Sequence, residues 1–394
     1  MMAEASEPRQ STRFLLLYAL AAAGGAIAYV PFLTILLPVR MTALAGQGDI
    51  QALGYVTFFG AIAASTGGVL FGWLSDRTRS RRGWVAAGMI LTIALLLAVP
   101  LAEDVPTLIA IIVGWQLALN MMLGPLAAWG GDLVPDQQKG LLGGLLAFSP
   151  ALGAVSCAFV TIPGLADADG RLALVGLLVA GAVLPVLLLG RPRPFPELSV
   201  PSGHEAPTRP STIVARMWFA RLLVQIAEAA LFAYLFFWFR SIDPAITDSE
   251  TAQLFSLVLT VAVPLALLAG RWADRNDRPI LPLGVTAAIL VAGLIAMALA
   301  TDLFAAKASY VVFGIAATIF LSLHSGQTLR ILPRPEHRAR DLGLFNLTNT
   351  VPSLIMPWLT ISLVPGFGFD ALFLLLAGLA SVAVLLLATM PRLR

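Results

Sequence analysis

Apolar runs of about twenty residues recur along the whole chain, each closed off by a short polar or charged segment. A helix rises about 1.5 Å per residue, so one such run crosses a hydrocarbon core roughly 30 Å thick, whereas a membrane strand needs only about ten residues. The pattern therefore predicts helical spans over 14–37, 51–74, 84–102, 106–130, 140–162, 172–190, 213–239, 250–270, 279–300, 304–329, 342–364 and 369–390. That is about twelve helices, in an all-α membrane protein. Composition agrees, because 58% hydrophobic and 12% charged residues leave too little charge for a water-soluble surface.

The basic residues fall on alternate connections. With the N-terminus inside, inner segments carry Arg9, Arg13, the cluster from Arg77 to Arg82, Arg191, Arg193, Arg271, Arg275 and Arg278, whereas the outer loops hold only Arg40, Arg171, Arg240 and Lys307. This bias predicts a multi-pass protein of the plasma (bacterial inner) membrane with both termini cytoplasmic. It also accounts for the pI near 9.3, so the lipid bilayer is the expected partner and nucleic acid is not. The apolar run after Arg13 outlasts the h-region of a signal peptide and reads as the first span. Cys157 stands alone, which excludes an intramolecular disulfide; it reads as a small packing residue.

A segment rich in Pro, Ser, Gly, Arg and His, 191–212, divides the chain into 1–190 and 213–394, with six spans on each side. The halves repeat. Gly72-Trp73-Leu74-Ser75-Asp76-Arg77 after span 2 matches Gly270-Arg271-Trp272-Ala273-Asp274-Arg275 after span 8, and Pro135 and Pro333 have the same displacement. Six is even, so the second half re-enters the membrane in the orientation of the first, giving two parallel six-helix bundles with a cleft between them.

The stretch from Gly68 through Gly72, Asp76, Arg77 and Arg81 to Gly83 resembles the loop signature of the major facilitator superfamily, and the span count, central linker and second copy extend the resemblance over essentially the whole chain. The resemblance implies that Asp76, Arg77 and Arg81 latch the cytoplasmic ends of neighbouring helices, with Gly72, Gly270, Asp274 and Arg275 as the other gating positions. The alternative is a solvated basic turn obeying the charge bias. Asp132-Leu-Val-Pro135 and the run from Asp341 through Asn346 and Asn349 to Pro352 look like the glycoside-pentoside-hexuronide and sucrose-type symporters. Melibiose-type members hold sodium with carboxylates on the second span, and 51–74 contains none, so a sodium site of that type is not expected here.

Ionisable groups inside a bilayer are costly and mark function. Glu228 is the one acidic residue near the middle of a predicted span, and Arg221 and Gln225 share its helical stripe. A carboxylate there either carries a proton, its charge state depending on whether the cleft is wet, or forms a structural bridge to Arg221. His324 and Gln327 share a face of span 10, as proton relay, substrate contact or packing. Gln116 with Asn120, and Asn346 with Asn349, are single-face amide pairs suited to hydroxyl-rich solutes or to helix–helix bonding. Tyr29 is a further substrate candidate, and Trp238 reads as an interface anchor. His204 and His337 lie in loops at no zinc-ligand spacing, so no metal or other cofactor is expected.

These residues predict a secondary active transporter, acting as a monomer, that moves a small polar solute such as a sugar or glycoside by alternating access, coupled to protons. The alternatives are an exporter of drug-like or amphipathic compounds and a non-transporting sensor or scaffold. An enzyme is not expected, because the sequence shows no nucleophile elbow, paired histidines or paired carboxylates.

Overall fold

The computed structural model describes residues 9–135, 138, 141–142, 145–146, 148–193, 211–276, 278, 280–331 and 338–390; at 47, 131, 211, 274, 325–331, 338–347 and 350 it describes the backbone alone. Most of the predicted linker therefore lies outside the described residues. The described chain is a bundle of helices: α1 (Thr12–Ala45), α2 (Asp49–Thr78), α3 (Arg81–Leu101), α4 (Val105–Leu133), α5 (Ser149–Val160), α6 (Ala168–Leu189), α7 (Ser211–Ile242), α8 (Asp248–Arg275), α9 (Leu281–Ala298) and α10 (Leu303–Ile331), then α11 (338–367) and α12 (369–388). The last two form one helical stretch broken at Gly368, whose φ of 76° lies where only glycine is at ease.

Local chemistry sets the ends. Ser11, Asp104 and Asp167 cap the N-termini of α1, α4 and α6 by accepting from backbone amides. The Thr107 hydroxyl and amide hold the exposed Asp104 carboxyl below its ordinary range. Helix α1 continues past its predicted end at 37 because the polar residues beyond it find partners. Arg40 Nη2 donates to the carbonyls of Pro100 and Ala102 at 3.0 and 2.9 Å.

Within the first half, α2 packs on α4, α3 on α4 and α6, and α1 on α5 and α6. The same relations recur six helices later, where α8 and α9 pack on α10 and α7 on the α11–α12 stretch. The halves meet along two seams, α2 against α11 and α5 against α8. Tight approach depends on small residues, as expected where lipid is as apolar as leucine. A Cβ at Gly293 would stand 2.9 Å from the Phe313 amide nitrogen, so the backbones of α9 and α10 lie against each other.

Trp238 corrects an expectation. It is not an anchor at the lipid interface: it is only 2% exposed and packs edge-on against Phe373 of α12 at 4.8 Å. Hydropathy cannot separate a lipid-facing aromatic from one buried between helices, because both surroundings are apolar. Trp238→Ala is expected to cost about 3–5 kcal/mol, as for a buried aromatic truncation, seen as a large fall in melting temperature of the purified protein. A loss under about 1 kcal/mol would return Trp238 to the interface.

Candidate solute cavity

The cavity wall begins on α1. Pro31 removes a backbone donor, and the next five residues, Phe32–Leu36, wind as a π-helical turn. Tyr29, Leu33 and Leu37, four apart, face a cavity of about 430 Å³. Opposite stand Val56, Thr57, Ala61 and Ala64 of α2 and Ile112 and Gln116 of α4. The second half supplies Gln225, Glu228, Phe232 and Tyr234 of α7 and Asn349, Ser353, Met356 and Pro357 of α11. The space is thus shared by both halves, and its volume suits a drug-sized organic molecule.

Among the described lining residues, Glu228 is the one charged side chain. The Gln225 amide donates to its Oε2 at 3.2 Å. Arg221 takes a different direction from its expected stripe: Nε donates to Thr348 Oγ1 at 3.0 Å, Nη2 to Asn349 Oδ1 at 3.3 Å and Nη1 to the Leu321 carbonyl at 3.4 Å. It thereby binds α7 to α10 and α11. Tyr29 lines the cavity with its ring 6.0 Å from that of Phe232, inclined at 48°.

The other candidates divide. Gln116 and Asn349 reach the cavity. Asn120 donates to the Gln116 carbonyl at 2.9 Å and packs on the Gly67–Gly68 backbone of α2, away from the lining. His324 is fully buried, with Nε2 2.9 Å from the Met217 carbonyl, and so ties α10 to α7. The side chains of Gln327, Asn346 and Asp274 lie outside the described residues, as does Pro333. Thr57, Phe232, Tyr234, Ser353 and Met356 were not anticipated. Phe232 had a signal, since it stands one turn beyond Glu228 on the same face. Thr57 had none, because a span threonine usually bonds its own helix, as this one does to the Leu53 carbonyl at 2.9 Å.

One end of the cavity is shut by contacts between the halves. Arg240 of α7 pairs with Asp49 and donates to Thr42, both of the first half, while its guanidinium lies 4.8 Å from the Phe237 ring centre. Arg171 of α6 pairs with Asp248 of α8. Deeper in, a Cβ on Gly54 would overlap Ile361 of α11, so α2 and α11 are in direct contact, and the Tyr234 hydroxyl lies between Thr57 and Thr360. Among the described residues, the two ion pairs that cross between the halves both lie at this end.

At the other end the charges stay within a half. Arg81 binds Asp76, Asp132 at 3.1 Å and the Ser75 hydroxyl at 2.6 Å, joining the ends of α2, α3 and α4. Arg77 is exposed and sits over the Trp73 ring at 5.6 Å, outside that network. Gly72 leaves room for α4, where Gly124 faces the α2 backbone. In the second copy, a Cβ on Gly270 would meet Leu323 at 3.4 Å, and Arg275 is exposed. Asp76 and Asp132 are largely solvent-exposed, so Arg81→Ala is expected to cost about 1 kcal/mol or less in thermal unfolding; a larger loss would mean that the network carries the packing of α2 on α4.

Two solved structures of a bacterial homolog of the human lysosomal transporter Spinster, both inward-facing, one unoccupied and one occupied, superpose with a TM-score of 0.69 over 95% of each chain at 14% and 15% identity. The fold is the major facilitator fold. A sequence model of the Major Facilitator Superfamily matches residues 217–393, which hold Glu228, Asn349 and the Gly270–Arg275 copy but not the Gly68–Gly83 loop. No curated protein sequence matches the chain. In this major facilitator fold the cavity lies between the two halves and is closed at the Arg240 end.

Proposed function

We propose that the chain is a secondary active transporter that carries a small organic solute across a bilayer by alternating access, with Glu228 as its proton-binding group. The observation that carries this is one cavity walled by both halves with, among the described residues, a single charged side chain on its wall. Rocking one half on the other about that cavity exposes it to each side in turn. The charge bias places the Arg240 end outside and the Arg81 end, with both termini, in the cytoplasm, so the structure corresponds to a state shut to the outside. Transport as a monomer fits a cavity built from one chain.

The expected sugar or glycoside is supported by Gln116, Gln225, Asn349, Ser353 and Thr57, which offer amide and hydroxyl groups. The lining otherwise favours the exporter reading: Leu33, Leu37, Val56, Ile112, Phe232, Met356 and Pro357 suit a solute with a substantial apolar body. Proteoliposomes with an imposed pH gradient test the function. Some member of a panel of sugars, glycosides and amphipathic amines should accumulate, and a protonophore should collapse the accumulation. If no member of the panel moves or elicits proton flux through folded protein, the transporter reading fails.

A further inference from the structure

We infer that the solute is an amphipathic monocation and that it exchanges for a proton at Glu228, so that solute and proton move in opposite directions. This deepens the transporter reading and rests on it. Among the described residues, no Lys, Arg or His lines the cavity to balance the Glu228 charge. Among the described residues, the titratable groups on neighbouring elements that sense the Glu228 charge are phenols, Tyr29 of α1 and Tyr310 of α10. On its own helix the nearest cation is Arg221, seven residues back, about 10 Å along the axis. Its charge reaches Glu228, but its guanidinium donates to Thr348, Asn349 and the Leu321 carbonyl and does not stand on the cavity wall. The acceptor facing the cavity therefore keeps a place for a positive charge brought from outside.

The surroundings fit an ammonium or similar cation better than a neutral polyol. Tyr29 and Phe232 line the same cavity as Glu228, and aromatic rings attract cations. Beyond them Leu33, Val56, Ile112 and Met356 receive an apolar body and offer nothing to a ring of hydroxyls. A carboxylate enclosed in this way accommodates one positive charge, a proton or the solute cation, and not both. The exchange balances in atoms and charge: the protonated carboxyl plus the incoming cation gives the carboxylate–cation pair plus a released proton. A neutral solute would require no such release.

Tetraphenylphosphonium, a permanent monocation with an apolar body, is the first probe, with aromatic ammonium ions and the neutral isostere triphenylphosphine oxide beside it. In weakly buffered detergent solution, binding to the whole protein should release up to one proton per cation. Affinity should fall as pH is lowered, approaching tenfold per unit below the carboxyl's titration. Glu228→Gln should weaken cation binding at least thirtyfold and abolish proton release, and Glu228→Asp should restore part of both, with melting curves checking that each variant is folded. If the neutral isostere or a sugar binds as well as the cations, if Glu228→Gln binds them undiminished, or if no monocation binds, the inference is overturned. Gradient-driven flux of a neutral solute in proteoliposomes would then leave the transporter reading standing, whereas loss of flux for every solute removes both.

Discussion

Replacing Glu228 by Gln is expected to lower proton-gradient-driven solute flux at least about a hundredfold, equivalent to roughly 2.7 kcal/mol. The amide keeps the shape of the side chain and the contact with Gln225 but can neither take up nor release a proton at any working pH. The decisive measurement is solute-elicited proton movement in proteoliposomes, read with an enclosed pH indicator for wild type and variant reconstituted at equal density. Retained coupling in the variant would move the proton site elsewhere and leave Glu228 as a packing partner of Gln225.

Arg240→Ala should open the end of the cavity that is closed here. Asp49 is only 5% exposed, and the substitution leaves its carboxylate buried without the guanidinium that neutralises it. Losing one partner of a buried pair costs about 3–5 kcal/mol, which here falls on the closed state alone. A shift of that size changes the ratio of the two states at least about a hundredfold, because each 1.4 kcal/mol is a factor of ten. Spin labels at Gly48 and Ala245, both exposed at this end, report it directly. Wild type should give one short distance, and Arg240→Ala should add a longer one. Asp49→Asn, which leaves behind only the more exposed Arg240 guanidinium, should shift the distribution less. Unchanged distances in both variants would show that the Gly54–Ile361 contact alone keeps this end shut.

The spans and the repeat were legible because hydrophobic length and a displaced motif are local signals. Glu228 was legible because an acid amid apolar residues has no ordinary explanation. The closure was not. Asp49 and Arg240 stand 191 residues apart, each in a stretch that reads as a charged helix end, and only the packing of α7 beside the end of α1, just before Asp49, brings them together. Arg221 shows a related limit: helical phase sets it on the Glu228 stripe, and its charge does reach Glu228, but a long flexible arginine also goes to acceptors on other helices, here Thr348 and Asn349. The same limit hid Thr57 and Ser353, whose contribution depends on which neighbour leaves a gap.

The irregular turn in α1 ties two distant parts of the molecule to one backbone event. In regular α geometry a four-residue step overshoots a full circle by about 40°, so Tyr29, Leu33 and Leu37 would fan out by about 80° in all. The wider winding of Phe32–Leu36 reduces that fan and keeps the three in a row. Rewinding it would twist everything downstream like a turned cable, swinging Leu37 from the wall and carrying Thr42 off Arg240. A single register defect thus joins, along one stretch of backbone, the wall of the cavity and the clasp above it.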